Sequence, residues 1–195
     1  MTTIVVTPPA AEVVSLEEIT SHLRLIESDE TGSGEDELLS TLRSAAVTKI
    51  EDMTGLAFIN RTLKTTFDRF GRRLVLPISP VVSVASITYL DTAGEEQTLE
   101  ASDYALHDRI DNPGVIPAHG RSWPATWDFT GSVSVEYVAG FGAGAANVPD
   151  TLRLAVLRTI GGMYDFREDI GAVSLTAIPE GVTSLIAGHR RWDMR

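Results

Sequence analysis

The chain contains no cysteine. Disulfides and thiolate metal sites are therefore excluded, and a reducing compartment is allowed. Long apolar runs are missing too: none approaches the roughly 20 residues that a membrane-crossing helix needs. The first residues lack a basic stretch followed by an apolar one, so no secretory signal is expected. Basic residues are scarce, 16 Lys and Arg against 27 Asp and Glu, for a formal net charge of −11. A surface of that sign does not wrap nucleic acid through its phosphates. It suits a passage through which DNA slides without adhering, although acidity by itself chiefly signals solubility.

What is present is ordinary for a globular protein. With 195 residues, 43% of them hydrophobic and 22% charged, the chain can bury a real core in one domain or two small ones. Its mean hydropathy of +0.05 is slightly apolar for a free monomer and suggests surface reserved for neighbours.

Residues 1–14 read as extended, because Pro8-Pro9 opposes helix. Ser15-Leu16-Glu17-Glu18 has the form of a capping box and predicts a helix start at Ser15. Leu16, Ile19, Leu23 and Ile26 follow at helical spacing. Residues 27–36 are polar, contain Gly32 and Gly34, and read as a loop. A longer helix is predicted over 35–54, with Leu38, Leu39, Leu42, Ala45, Ala46, Ile50 and Met53 as its apolar face and Gly55 as a left-handed cap. From 56 to 138 the period changes to that of strands, expected at 63–70, 74–78, 82–90, 97–99, 103–107, 115–116 and 133–138. Residues 140–146 read as a Gly/Ala hinge. A third helix is predicted over 149–166, opened by Pro149, with Gly161-Gly162 weakening it or admitting another backbone. Residues 167–180 read as loop and 182–187 as one or two helical turns. The expected fold is α+β: a small helical bundle from residues 1–55 and 140–195, with an antiparallel β module, 56–139, inserted in it.

Motifs for chemistry are hard to find. His22, His107, His119 and His189 fall in no metal-binding spacing. Gly140-Phe141-Gly142-Ala143-Gly144 lacks the Gly-Lys-Ser/Thr of a phosphate loop and misses the dinucleotide fingerprint. Gly32-Ser33-Gly34 lacks the frame of a serine nucleophile elbow. Asp103, Asp108, Asp111 and Asp128 could supply a carboxylate pair of the kind glycosidases use, but turn and solvation roles are the simpler account. No catalytic, cofactor-binding or metal residue is assigned, and the protein is not expected to be an enzyme. Arg72-Arg73 reads as a solvated hairpin turn. Trp123 reads as an aromatic capping the β module, with an inter-subunit contact as the alternative. The tail from His189 to Arg195 stays open between a frayed terminus and a docking peptide, since Trp and Arg are favoured interface anchors.

Several short phrases follow one another along the chain. They are Ser15-Leu16-Glu17-Glu18 with His22-Leu23-Arg24, then Ala45-Ala46 and Glu51 leading to Thr54-Gly55. Leu76-Pro77-Ile78-Ser79-Pro80-Val81 and Val84-Ala85-Ser86-Ile87-Thr88-Tyr89 come next. Gly120-Arg121-Ser122-Trp123-Pro124, Val135-Glu136-Tyr137 and Gly140-Phe141-Gly142 follow, and last come Val148-Pro149-Asp150-Thr151-Leu152 and Tyr164 with Arg167-Glu168. In this succession the chain resembles the head–tail connector (adaptor) proteins of long-tailed bacteriophages and phage-derived gene transfer agents. The resemblance implies a structural ring, twelve-fold to match the portal, between portal and tail at the head–tail interface of a virion or virus-like particle assembled in the bacterial cytoplasm. Its implied partners are copies of itself, the portal protein, and a tail-side stopper or tail terminator protein. DNA would pass through without sequence-specific binding, and no membrane is involved. On the same resemblance Leu185, Ile186, Arg190, Arg191 and Trp192 dock on the portal; deletion of residues 182–195 is expected to abolish docking and leave the fold intact. Trp123 and Phe141 are expected at subunit interfaces. The alternatives are another neck or tail-completion component and a small carboxylate-based hydrolase.

Overall fold

A computed structural model describes residues 1–25, 32–110, 112–165 and 180–190, with backbone alone for 32–34 and 180. The expectations for Ile26, for 27–31, for Asp111, for the loop through 179 and for the tail from Arg191 lie outside the described residues. The fold is α+β. Its strands are β1 (Thr2–Thr7), β2 (Arg61–Phe67), β3 (Leu74–Val75), β4 (Val81–Leu90), β5 (Glu96–Thr98), β6 (Tyr104–His107), β7 (Gly114–Pro117) and β8 (Val133–Ala139). Its helices are α1 (Leu16–Leu23), α2 (Gly32–Thr54), α3 (Asp150–Asp165) and α4 (Glu180–Ala187). The described residues form two units, one from 1–10 and 55–143, the other from 11–54 and 144–190.

In the first unit a five-stranded antiparallel sheet runs β1-β2-β8-β4-β5 beside a three-stranded one, β3-β7-β6. Strand β8 lies at the centre of the larger sheet, and its sequence shows why. Val133, Val135, Tyr137 and Ala139 are buried, while Ser134, Glu136 and Val138 between them are not. That period of two places four side chains on one face. They share a core with Leu63, Leu74, Leu76, Ile87 and Val115. Tyr137 is wholly buried, so its hydroxyl needs a partner. Thr65 donates to it at 3.4 Å, and the Thr65 oxygen lies 2.8 Å from the Thr3 hydroxyl. Thr65 has one proton to give, so Thr3 is the donor in the second bond. The hydroxyls thus link β1, β2 and β8 in one line.

Strand β1 departs from the sequence expectation, which reads residues 1–14 as extended and assigns them to the helical body, whereas 1–10 belong to the β unit. Thr2–Thr7 pairs with β2, Thr2 opposite Thr66 and Val5 opposite Leu63. Its apolar residues Ile4, Val5 and Val6 are consecutive and exposed, so no alternation marked them as strand. The expected hinge is also different in kind. Gly140 has φ 149°, and a Cβ there would lie 2.5 Å from the Asn60 nitrogen. Only glycine fits so close a backbone approach. The Gly140 N–H donates to the Pro80 carbonyl at 2.9 Å, and Asn60 N–H to that of Gly142 at 2.9 Å. The start of this glycine-rich segment is pinned.

In the second unit α3 packs against α1, α2 and α4. Leu152, Ala155, Val156 and Ile160 of α3 are buried, as are Ile19, Leu39, Ala46, Ile50, Val182 and Ile186 on its neighbours. The buried stripe of α2 is narrower than predicted: Leu38 and Ala45 are exposed, and Leu42 and Met53 only half-buried. Positions 39, 46 and 50 share one side of the helix, and the flanking leucines fall outside it. Gly55 caps α2 with φ 70°, as expected. Gly161 faces side chains and not a second backbone, since a Cβ there would lie 3.7 Å from Leu23 and 3.9 Å from His22.

The capping box at Ser15 is complete. The Ser15 N–H donates to Glu18 Oε2 at 2.8 Å, and the Glu18 N–H donates to Ser15 Oγ at 3.1 Å. Arg153 of α3 pairs with the same carboxylate and also donates to the Val13 carbonyl. The start of α1 is therefore held to α3 by a charge-assisted contact.

Two outcomes follow. Tyr137→Phe should cost about 1 kcal/mol, the worth of one hydrogen bond, and Tyr137→Ala about 3–5 kcal/mol, since it also opens a cavity. Urea unfolding reads both, and equal costs would contradict the account. The Glu18 carboxyl is held below the ordinary glutamate range, first by the Ser15 N–H and then by Arg153, against the opposing effect of burial. A lowered folded-state pKa stabilises fully above the unfolded value of about 4.3 and is lost as pH falls through the folded one. Wild type should therefore lose stability more steeply than Glu18→Gln as pH drops through this range. Parallel pH profiles would contradict it.

Candidate assembly surfaces

Trp123 is fixed within its own chain. Its ring stacks on Phe70 with centroids 4.7 Å apart and planes 10° apart, and Phe70 meets Tyr89 edge-on at 5.7 Å. The indole N–H donates to the Gly71 carbonyl at 2.7 Å. Beside it opens a cleft of about 770 Å³, walled by Arg72, Arg73, His107, Ile116, Pro117, Arg121, Ser122 and Trp123. Gly114 leaves room for the stem of Arg73, whose carbons would lie 3.0 Å from a Cβ there. Arg121 reaches Asp103 at 3.4 Å, whereas no ion pair engages Arg72 or Arg73 among the described residues. The sequence reading took Arg72-Arg73 as a solvated turn and missed this gathering. His107, Ile116 and Arg121 are distant in sequence, and only the pairing of β3 with β7 and of β7 with β6 brings them together.

Two apolar surfaces of the same unit stay open. Trp127 and Phe129 stack at 4.8 Å yet are 45% and 54% exposed. Their loop is not loose: the Trp127 N–H donates to the Leu90 carbonyl at 3.0 Å, and Ser132 Oγ donates to the Trp127 carbonyl at 2.9 Å. The second surface is β1, an edge strand without a charged residue. Uncharged apolar edges invite pairing with another chain. Single aromatics in a loop gave no sequence signal for the first surface, and missing alternation hid the second. Phe141 is half-buried, and its N–H donates to the Phe58 carbonyl at 3.2 Å.

Of the residues expected at the portal, Leu185, Ile186 and Arg190 lie in the other unit. Ile186 is only 2% exposed and Val182 is wholly buried, on a helix that packs against α3. Leu185 is half-buried and Arg190 exposed, while Arg191 and Trp192 lie outside the described residues. His189 shares a hydrogen bond of 2.9 Å with Thr151. Removing α4 would strip the buried Val182 and Ile186 from α3, so a deletion from residue 182 is expected to cost stability as well as docking. Trp123 and Phe141 belong to the β unit, and Leu185, Ile186 and Arg190 to the helical one.

No family model and no curated protein matches the sequence, but solved structures do. A chain in the neck of an empty GTA particle, computed with C6 symmetry, is 31% identical over 100% of this chain and 98% of its own, with a TM-score of 0.83. A chain of the virion of a native gene transfer agent (GTA) particle matches at 31% identity and a TM-score of 0.80, over the same shares. A chain in the neck of a native GTA particle, computed with C12 symmetry, matches at 29% and 0.79, again over 100% and 98%. The chain belongs to the family of gene transfer agent neck proteins. Since the likeness spans the whole chain, both units are part of the neck-protein fold.

No group of three or more His, Asp or Glu able to hold a metal ion occurs among the described residues. His22 lies beside Glu17, Glu18, Ser21 and Leu157 in a shallow cleft of about 520 Å³, and His119 is exposed. Of the aspartates weighed as a carboxylate pair, Asp103 is engaged by Arg121, Asp108 and Asp128 are exposed, and Asp111 lies outside the described residues. No helix among the described residues is long and apolar enough to cross a membrane.

Proposed function

We infer that this neck protein is a head–tail connector (adaptor) subunit. Copies form a ring between portal and tail, twelve in the particle, and extend the DNA channel at the capsid vertex. The observation that carries the reading is the match to a particle-neck chain over 98% of that chain's length. The C12 and C6 symmetries of the related necks both accommodate twelve identical subunits, and heterologous contacts close such a ring by rotation. The ring sits in the virion after assembly in the bacterial cytoplasm. Its tail-side neighbour is a stopper or terminator protein, and it performs no catalysis. The exposed strand β1 and the Trp127–Phe129 pair are apolar surfaces that neighbours can cover. A net charge of −11 lets DNA pass, because like charge repels its phosphates.

In this reading the segment after α4 docks on the portal through Arg190, Arg191 and Trp192, with Leu185 supporting it. Ile186 serves by holding α4 on α3. A variant with Arg190→Glu, Arg191→Glu and Trp192→Ala should keep its unfolding midpoint, because the buried face of α4 is untouched. It should fail to crosslink to the portal in assembled particles. Normal incorporation of that variant would overturn the docking role. Crosslinks of the wild-type chain to tail proteins alone would favour a different neck component.

A further inference from the structure

We propose that the basic cleft of the β unit binds an acidic segment of a neighbouring copy, the turn and edge strand bearing Glu95 and Glu96. This rests on the ring reading for its occupant and on the cleft itself for its chemistry.

Three arginines and a histidine gather in one concavity of a chain that carries 27 acidic residues. Arg72 and Arg73 have no anionic partner among the described residues. Arg121 has one in Asp103, but the pair is open to solvent, with the arginine side chain 61% and the aspartate 30% accessible. Exposed pairs of this sort are weak and readily exchanged. The cleft also offers apolar wall from Ile116, Pro117 and Trp123. His107 Nδ1 is buried there without a hydrogen-bond partner. Guanidinium forks around an apolar wall suit a carboxylate-bearing peptide, because each fork can take a carboxylate through two bonds.

The complementary surface lies on the same chain. The Asp91 carboxylate is consumed within its turn, accepting from the Ala93 and Glu95 N–H groups at 2.9 and 3.1 Å and from Gln97 Nε2 at 3.0 Å. That leaves Glu95, Glu96 and Glu100 exposed on a fixed scaffold, with no ion pair to any of them among the described residues. They lie at and beside β5, one of the two edge strands of the larger sheet. A preformed turn loses little freedom on binding. These carboxylates do not pair with the cleft arginines of their own chain, so the match is left for a second copy. Two different patches that fit one another make a head-to-tail contact, the kind that builds rings and not two-fold dimers. A nucleic acid is the other polyanion for a basic cleft, but the net charge of −11 opposes its approach.

Isothermal titration calorimetry of the full chain tests the assignment. The probe is a synthetic peptide of residues 90–100, and the comparison is a 20-nucleotide single-stranded DNA. The peptide should bind wild type, and Arg72→Ala with Arg73→Ala should weaken it at least about tenfold, as should Glu95→Gln with Glu96→Gln in the peptide. An unchanged unfolding midpoint shows that the arginine variant is folded. No binding up to about 1 mM, or binding indifferent to either pair of substitutions, overturns the proposal. Tighter binding of the DNA at the same arginines overturns it in favour of a nucleic-acid site. Peptide binding by a chain that particles lack would refute the ring and leave the cleft's chemistry standing.

Discussion

The chain enters its β unit at residues 55–60 and leaves it at 139–142, and these two stretches are hydrogen-bonded to each other and to the start of β4. Ser79 N–H donates to the Gly55 carbonyl at 3.1 Å, and Ala57 N–H donates back to Ser79 at 2.7 Å. Gly140 N–H donates to Pro80 at 2.9 Å, and Phe141 N–H to Phe58 at 3.2 Å. Because entry and exit lie side by side, strands β2 to β8 can be carried between two helical segments without their ends being strained apart. Gly140 makes the closeness possible, since any side chain there would collide with the Asn60 backbone. The placement of β8 follows directly, as its last residues run out of this clamp. The core built on Tyr137, Val135 and Val133 follows from β8.

Much of this was legible in the sequence because the signals were local. The alternation of residues 133–139, the capping box at Ser15, the cap at Gly55 and the turn after Leu90 each depend on a few neighbouring residues. Such cues survive whatever the rest of the chain does. Strand β1 was not legible, for its apolar residues are consecutive and it is defined by pairing with β2 and by little burial of its own. The face of α2 was drawn too wide, since periodicity gives the direction of a stripe but not how much of it a neighbour covers.

The candidate surfaces divide in the same way. Trp123 was recognisable as a cap on the β module, and its stack on Phe70 shows how it is held. The basic cleft beside it was invisible, because β3, β6 and β7 must pair before Arg72, Arg73, His107 and Arg121 share a wall. Ile186 looked like a contact residue when read with its exposed neighbours, but helical phase turns it onto α3 together with Val182. A segment can thus anchor itself with one face while its other face and its tail remain for a partner.

The central claim is one of place: this chain works by standing in a ring at the particle neck. Electron microscopy of native particles, with a label on this chain, measures that directly. The account predicts label in a single ring between portal and tail, with twelve copies as in C12 symmetry. Particles with a complete neck and no label in it would contradict the account.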